Sequence, residues 1–149
     1  MTPVLGIDPG GRATGYCLLD GDTLLSAGVV TRDGEDWARY YAELTDLVPA
    51  TLPPLVVAIE GLSKPCPHLG LTNVSGLIST ARVLGVVEAH AHVHGHHVVI
   101  IPPGRNGSAP LATYPPALVG PRDNGGGILR HARSAYDVAR AALVLELAS

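Results

Sequence analysis

Cysteine is scarce in this chain. Cys17 and Cys66 are its two thiols, with neither CxxC spacing nor the density of a disulfide framework. A reduced, cytoplasmic protein is the expectation from that scarcity. Long apolar runs are missing as well: Leu55-Val56-Val57-Ala58-Ile59 and Val98-Val99-Ile100-Ile101 fall far short of the ~20 residues that span a bilayer. No basic stretch precedes an apolar core near Met1, so no secretory leader and no membrane partner are expected. Phenylalanine is absent, and Lys64 is the sole lysine. Gly10-Gly11 is not followed by Gly-Lys-Ser/Thr, which excludes a Walker-type phosphate loop there.

What remains is enough for one domain over 1–149: 149 residues, 46% of them hydrophobic, can bury a real core and argue against disorder. The net charge of −3 does not by itself suggest a partner of opposite sign. Its distribution is uneven. Residues 1–60 carry nine acids against three arginines, whereas residues 61–149 carry seven basic residues against four acids. Between 102 and 136 stand Arg105, Arg122, Arg130 and Arg133 against Asp123 alone. That segment can face phosphate, although a solvated loop with scattered arginines fits the charge equally well.

The pattern along the chain alternates strands and helices. Residues 4–8 form an apolar run that stops at Pro9-Gly10-Gly11, 15–20 form a second strand, and Gly21-Asp22 is a hairpin signal before 23–30. Acids around Asp36 favour a helix start. Trp37, Tyr40, Tyr41, Leu44 and Val48 then recur at helical spacing until Pro49. The unbroken run 55–59 predicts a central strand covered on both faces, with Glu60 at its end. A helix is predicted over 72–90, a short buried strand over 98–101, and an alanine-rich helix over 132–147. The proline- and glycine-rich stretch 102–127 between the last two reads as a long, mobile, functional loop. The order βββαβαβα defines an α/β fold with one mixed sheet.

Asp8 and Glu60 both end apolar strands, and carboxylates at adjacent strand ends project into one crevice. Asp137 lies in the alanine-rich helix, an apolar setting that suits an acid facing something other than bulk water. Three carboxylates brought together repel, and a hard divalent cation resolves the repulsion. Equally open from spacing alone is a structural role for each: Asp8 capping a turn, Glu60 solvated, Asp137 in a first helical turn. The run 88–97 contains five of the seven histidines, with His90 and His94 at i, i+4. That pair suits a transition metal, but the same histidines also complement the negative end of a helix dipole.

GIDPGGRATGY at 6–16, VVAIEGL at 56–62 and SAYDVARAAL at 134–143 together resemble the three signature blocks of the RuvC family of Holliday-junction resolvases, in its compact phage or prophage version. The resemblance spans the chain. It implies the ribonuclease-H-like fold, with a five-stranded mixed sheet of three antiparallel and then parallel strands flanked by helices. Asp8, Glu60 and Asp137 match the family's metal-binding acids. The implied activity is Mg²⁺-dependent endonuclease chemistry on four-way junctions or other branched DNA, with Mn²⁺ substituting, by two-metal phosphodiester hydrolysis in which Asp8 bridges both ions. A homodimer, matching the twofold symmetry of a junction, is implied too.

The pattern departs from the family in places. Three positions before the last aspartate, where the family has Asp or His, this chain has Ser134. His131 is six positions before Asp137, off its face in a regular helix, yet able to turn inward if the helix starts after it. His131 is the favoured extra catalytic group and Ser134 the alternative. Arg133 stands to contact the scissile phosphate or to pair with Asp137. Arg12, Thr14 and Lys64 are candidate phosphate neighbours, as are Arg105, Arg122 and Arg130. Leu62 takes the place of a junction-wedging aromatic, or is a core leucine. Two other readings compete: a branched-DNA-binding protein with a decayed metal site, and a fragment of an actin- or sugar-kinase-type phosphotransferase.

Overall fold

The structure is a computed structural model that describes residues 1–51, 53–62 and 74–148. Five strands, β1 (Val4–Asp8), β2 (Ala13–Asp20), β3 (Thr23–Thr31), β4 (Val56–Glu60) and β5 (His97–Ile101), form one sheet in the order β3-β2-β1-β4-β5. The first three are antiparallel neighbours, and β1, β4 and β5 run parallel. Helix α1 (Trp37–Asp46) and helix α2 (Val74–Val93) cover one face, and α3 (Leu129–Ala148) covers the other. The mixed sheet expected from the sequence is present. Among the described residues, no helix is long and apolar enough to cross a membrane.

Strand periodicity decides which face each side chain meets. In β1, Leu5 and Ile7 join the core under α1 and α2, while Val4 joins the core under α3. In β4, Val57 and Ile59 go to the first core, Val56 and Ala58 to the second. Both faces are therefore apolar, which is why these strands read as continuous hydrophobic runs. Asp8 and Glu60 have the parity of Val4 and Ala58. Each thus projects on the α3 side at a strand's carboxyl end.

Helix α3 lies unusually close to the sheet. Ala132, Ala135, Val138, Ala139 and Ala142 form its buried stripe. The opposing strand positions are glycines: a Cβ at Gly6 would lie 2.1 Å from the Ala135 carbonyl oxygen, and one at Gly15 only 1.9 Å from that of His131. Helix backbone thus rests on strand backbone at the end that carries Asp8. Gly15→Ala is expected to destabilise the protein by about 1–3 kcal/mol, because the helix must move away to admit one methyl. A thermal melt checks this, and an unchanged midpoint would show that the approach is looser.

The turn after Asp8 is pinned from inside. Tyr40 Oη donates to the Gly10 carbonyl at 2.6 Å and lies 2.6 Å from Thr14 Oγ1, which accepts the Gly10 N–H at 3.2 Å. Thr14 is fully buried in this network, so its expected place beside a phosphate is corrected. The histidine-rich stretch is partly structural too. His96 accepts the Leu55 N–H at Nδ1 (3.0 Å), which leaves the proton on Nε2 for the Pro49 carbonyl at 2.8 Å. His90 Nε2 lies 3.1 Å from the Val48 carbonyl. These bonds tie the end of α2 and the start of β5 to the segment between α1 and β4.

The expected loop at 102–127 is an organised strap. It contains two short 3₁₀ turns, Leu111–Thr113 and Pro116–Leu118, and its Tyr114 and Leu118 pack with Ala132 of α3. Helix α3 begins at Leu129, three residues earlier than the alanine pattern predicted, and α2 extends to Val93.

Candidate active site

The parallel register pairs Ile7 with Ile59, and one further step sets Asp8 beside Glu60. The two carboxyls are close enough to influence each other's ionisation. Burial first, and then the neighbouring Asp8 carboxyl, push Glu60 up to about 7, while the Asn106 amide opposes the rise. The Asn106 amide reaches Glu60 Oε1 at 2.6 Å. Two acids so placed disfavour joint ionisation unless a proton or a cation lies between them.

Asp8 has a second neighbour. His131 Nδ1 lies 3.1 Å from Asp8 Oδ2, with the histidine side chain 42% exposed and the aspartate 14%. From the sequence, this contact is expected only if α3 begins after His131. The helix begins at Leu129, and His131 still meets Asp8, because positions 131, 135 and 139 run along one stripe of α3 toward the sheet. With Nδ1–H donated to the carboxylate, Nε2 is the ring nitrogen left for a ligand.

Asp137 lies on a flank of the same helix, under the strap. Its Oδ2 accepts from the Gly107 N–H and from Tyr114 Oη, both at 2.7 Å. Tyr114 Oη also accepts the Ala109 N–H at 3.2 Å, so its own proton is committed to Asp137. Burial first, and the bond to Asp137 second, push the tyrosine up to about 12, and it stays protonated at neutral pH. Gly107 has φ of +78°, and a Cβ there would lie 2.9 Å from the Arg130 carbonyl and 3.1 Å from the Ser134 nitrogen. Only glycine lets the strap descend this far. Ser134 is buried beneath that contact. Cys17, under the same helix, is pushed up to about 12 by burial and then by the charge of Asp137, so it is an inert core thiol.

Among the described residues, no group of three or more His, Cys, Asp or Glu side chains is gathered to hold a metal ion. Asp8 stands next to Glu60 on one side and to His131 on the other, and Asp137 is fastened to the strap by Gly107 and Tyr114. The donor chemistry nonetheless suits a hard divalent cation. Every carboxylate oxygen is a hard donor, and the Asp8–Glu60 repulsion is what a cation relieves.

The basic candidates separate. Arg12, Arg105, Arg122 and Arg130 are exposed, with Arg130 Nη2 3.3 Å from Ser108 Oγ. Lys64 lies outside the described residues. Arg133 needs a correction: its side chain is 0% exposed and does not reach a surface where DNA binds. It donates to Asp123 at 2.6 and 3.3 Å, to the Leu118 carbonyl at 2.9 Å and to the Gly126 carbonyl at 3.3 Å. Nor is Asp137 its partner. The Arg133 hydrogen bonds hold Asp123 below the usual carboxylate range, and the pair clamps the far end of the strap to α3. Leu62 is exposed rather than in the core.

Asn106, Gly107 and Tyr114 were not singled out by the sequence reading. The Asn-Gly dipeptide at 106–107 is a turn signal that marked the place where the strap bends, though not what it touches.

A sheet of order 3-2-1-4-5, with carboxylates at the ends of its first and fourth strands and an acid on the closing helix, has the ribonuclease-H-like fold. Two solved structures share it along almost their whole length. T. thermophilus RuvC in complex with a Holliday junction substrate matches with a TM-score of 0.69 at 18% identity, over 99% of this chain and 96% of that one. A second Thermus thermophilus RuvC structure matches at 0.64 and 19% identity, over 99% and 97%. No protein-family model matches the chain, and no curated protein matches its sequence.

Proposed function

We propose that the chain is a single-domain, divalent-cation-dependent endonuclease, selective for four-way junctions or other branched DNA. The observation that carries the proposal is the Asp8–Glu60 pair at adjacent strand ends, within a fold shared with a RuvC solved on a Holliday junction substrate. Asp8, Glu60 and Asp137 hold the cations, Mg²⁺ or Mn²⁺. Bound there, two such ions supply Lewis acidity for hydrolysis, activating water and offsetting charge on the departing 3′-oxygen.

The chain's own residues do the rest. Asp8 lies between Glu60 and His131. His131 orients Asp8 through Nδ1 and presents Nε2 to water or phosphate, which makes it the favoured extra catalytic residue over the buried Ser134. Arg12, Arg105, Arg122 and Arg130, with Lys64, follow the DNA backbone as point charges. A homodimer acting in the cytoplasm completes the proposal, since two copies are needed to nick a junction symmetrically.

The second reading, a branched-DNA-binding protein with a decayed site, draws on the absence of a gathered three-ligand group among the described residues. Labelled four-way junction, flap and linear duplex, each incubated with Mg²⁺, Mn²⁺ or EDTA, separate the two. Metal-dependent nicking that favours branched substrates is expected. Tight binding without nicking under every condition would favour the decayed site.

Phosphate contacts have their own signature. Alanine variants of Arg105, Arg122 and Arg130 are each expected to weaken junction binding and to lower the salt slope by about 1 per lost contact. Unchanged affinity and slope in all three would move the DNA surface elsewhere.

A further inference from the structure

One strap supplies every strap-to-acid bond at this site. Asn106 donates to Glu60, and the Gly107 backbone and Tyr114 donate to Asp137. Glu60 ends a strand and Asp137 sits on α3, so these carboxylates belong to elements that pack independently of each other's rotamers. The strap is what ties the two rotamers together. Its position is itself over-determined: Gly107 at positive φ lets it touch the backbone of α3, Tyr114 and Leu118 bury against Ala132, and Arg133 clamps Asp123 beyond.

The direction of these bonds is informative. All three contacts are donors to carboxylates, and none is an acceptor. Each donor stabilises the charged form of the acid it meets. Both donors to Asp137 take the same oxygen, Oδ2, which leaves Oδ1 as the coordinating atom. On Glu60 the amide takes Oε1. Partners of this kind, one bond behind the ligand atoms, set the orientation of metal ligands and with it their affinity.

We propose that Asn106 and Tyr114 are positioning residues for the cation centre, through which the 102–127 strap sets the affinity for divalent ions. The inference rests on the cation-dependent reading above and adds to it residues that touch neither ion nor DNA. Neither residue is needed to form the sheet, and each acts through a carboxylate rather than on substrate.

The test is direct binding of Mn²⁺, followed by the electron paramagnetic resonance of the free ion, with no DNA present. Wild type, Asn106→Ala, Tyr114→Phe and the double variant are compared, each shown by circular dichroism to be folded at the assay temperature. Each single variant is expected to bind Mn²⁺ about 10- to 100-fold more weakly. Asn106→Gln, which keeps the donor on a longer arm, is expected to recover part of the loss. A purely structural role would lower the melting temperature in EDTA and leave the affinity of the folded fraction unchanged. Unchanged or tighter Mn²⁺ binding in both single variants, with wild type binding normally, overturns this inference alone. A wild-type chain that binds no Mn²⁺ overturns the cation-dependent reading and this inference with it.

Discussion

Replacing Asp8 with asparagine is expected to abolish metal-dependent nicking while leaving junction binding intact. The change is nearly isosteric, and the site tolerates the shape because Asp8 is 14% exposed at a strand end rather than locked in the core. What it removes is the charge between Glu60 and His131. Losing several kcal/mol of transition-state charge stabilisation corresponds to a fall of on the order of a thousandfold in rate. Binding should survive, since it draws on arginines spread over the surface rather than on the acids. Rates on a labelled four-way junction under single-turnover conditions, beside a gel-shift in EDTA, check both halves. A variant that still nicks at a tenth of the wild-type rate would remove Asp8 from the centre of the chemistry.

The second large effect is on stability. Arg133→Met removes one partner of a buried ion pair and leaves Asp123 with only the backbone N–H groups of Gly120 and Gly125. Breaking such a pair from one side costs about 3–5 kcal/mol, much more than the pair contributes against an apolar replacement of both partners. For a chain of this size a 3 kcal/mol loss lowers the melting temperature by roughly 6–12 °C. Removing Asp123 in the Arg133→Met background should therefore cost less than removing it from wild type. A melt of the two single variants and the double variant closes the cycle, and additive losses would contradict a direct pair.

Arg133 also shows where sequence reasoning stops. A basic residue in a basic segment reads as surface charge, and its i+4 aspartate reads as its partner. The actual partner, Asp123, lies ten residues upstream in an irregular segment whose path no periodicity encodes. Asn106 and Tyr114 escaped notice for the same reason. The strand-end acids were legible because the period of two in β1 and β4 fixes the face on which Asp8 and Glu60 emerge, and the apolar runs revealed those strands. His131 fell between the cases. Helical spacing correctly set it off the face of Asp137, but its true neighbour was Asp8, across a gap that Gly6 and Gly15 close.

Those two glycines connect fold and chemistry most tightly. Without side chains there, α3 comes down onto β1 and β2, His131 reaches the strand end, and Asp137 stands under the strap. The stretch 6–16 thus supplies both an acid and the flat surface that brings the helix to it.

Cleavage of an end-labelled four-way junction by wild-type protein, in Mg²⁺ and in EDTA with the product ends mapped, tests the central claim most directly. Nicks that require Mg²⁺ and leave 5′-phosphate and 3′-hydroxyl ends are the expected result. Junction binding with no cleavage in Mg²⁺ or Mn²⁺, or nucleotide hydrolysis with no effect on DNA, would contradict it.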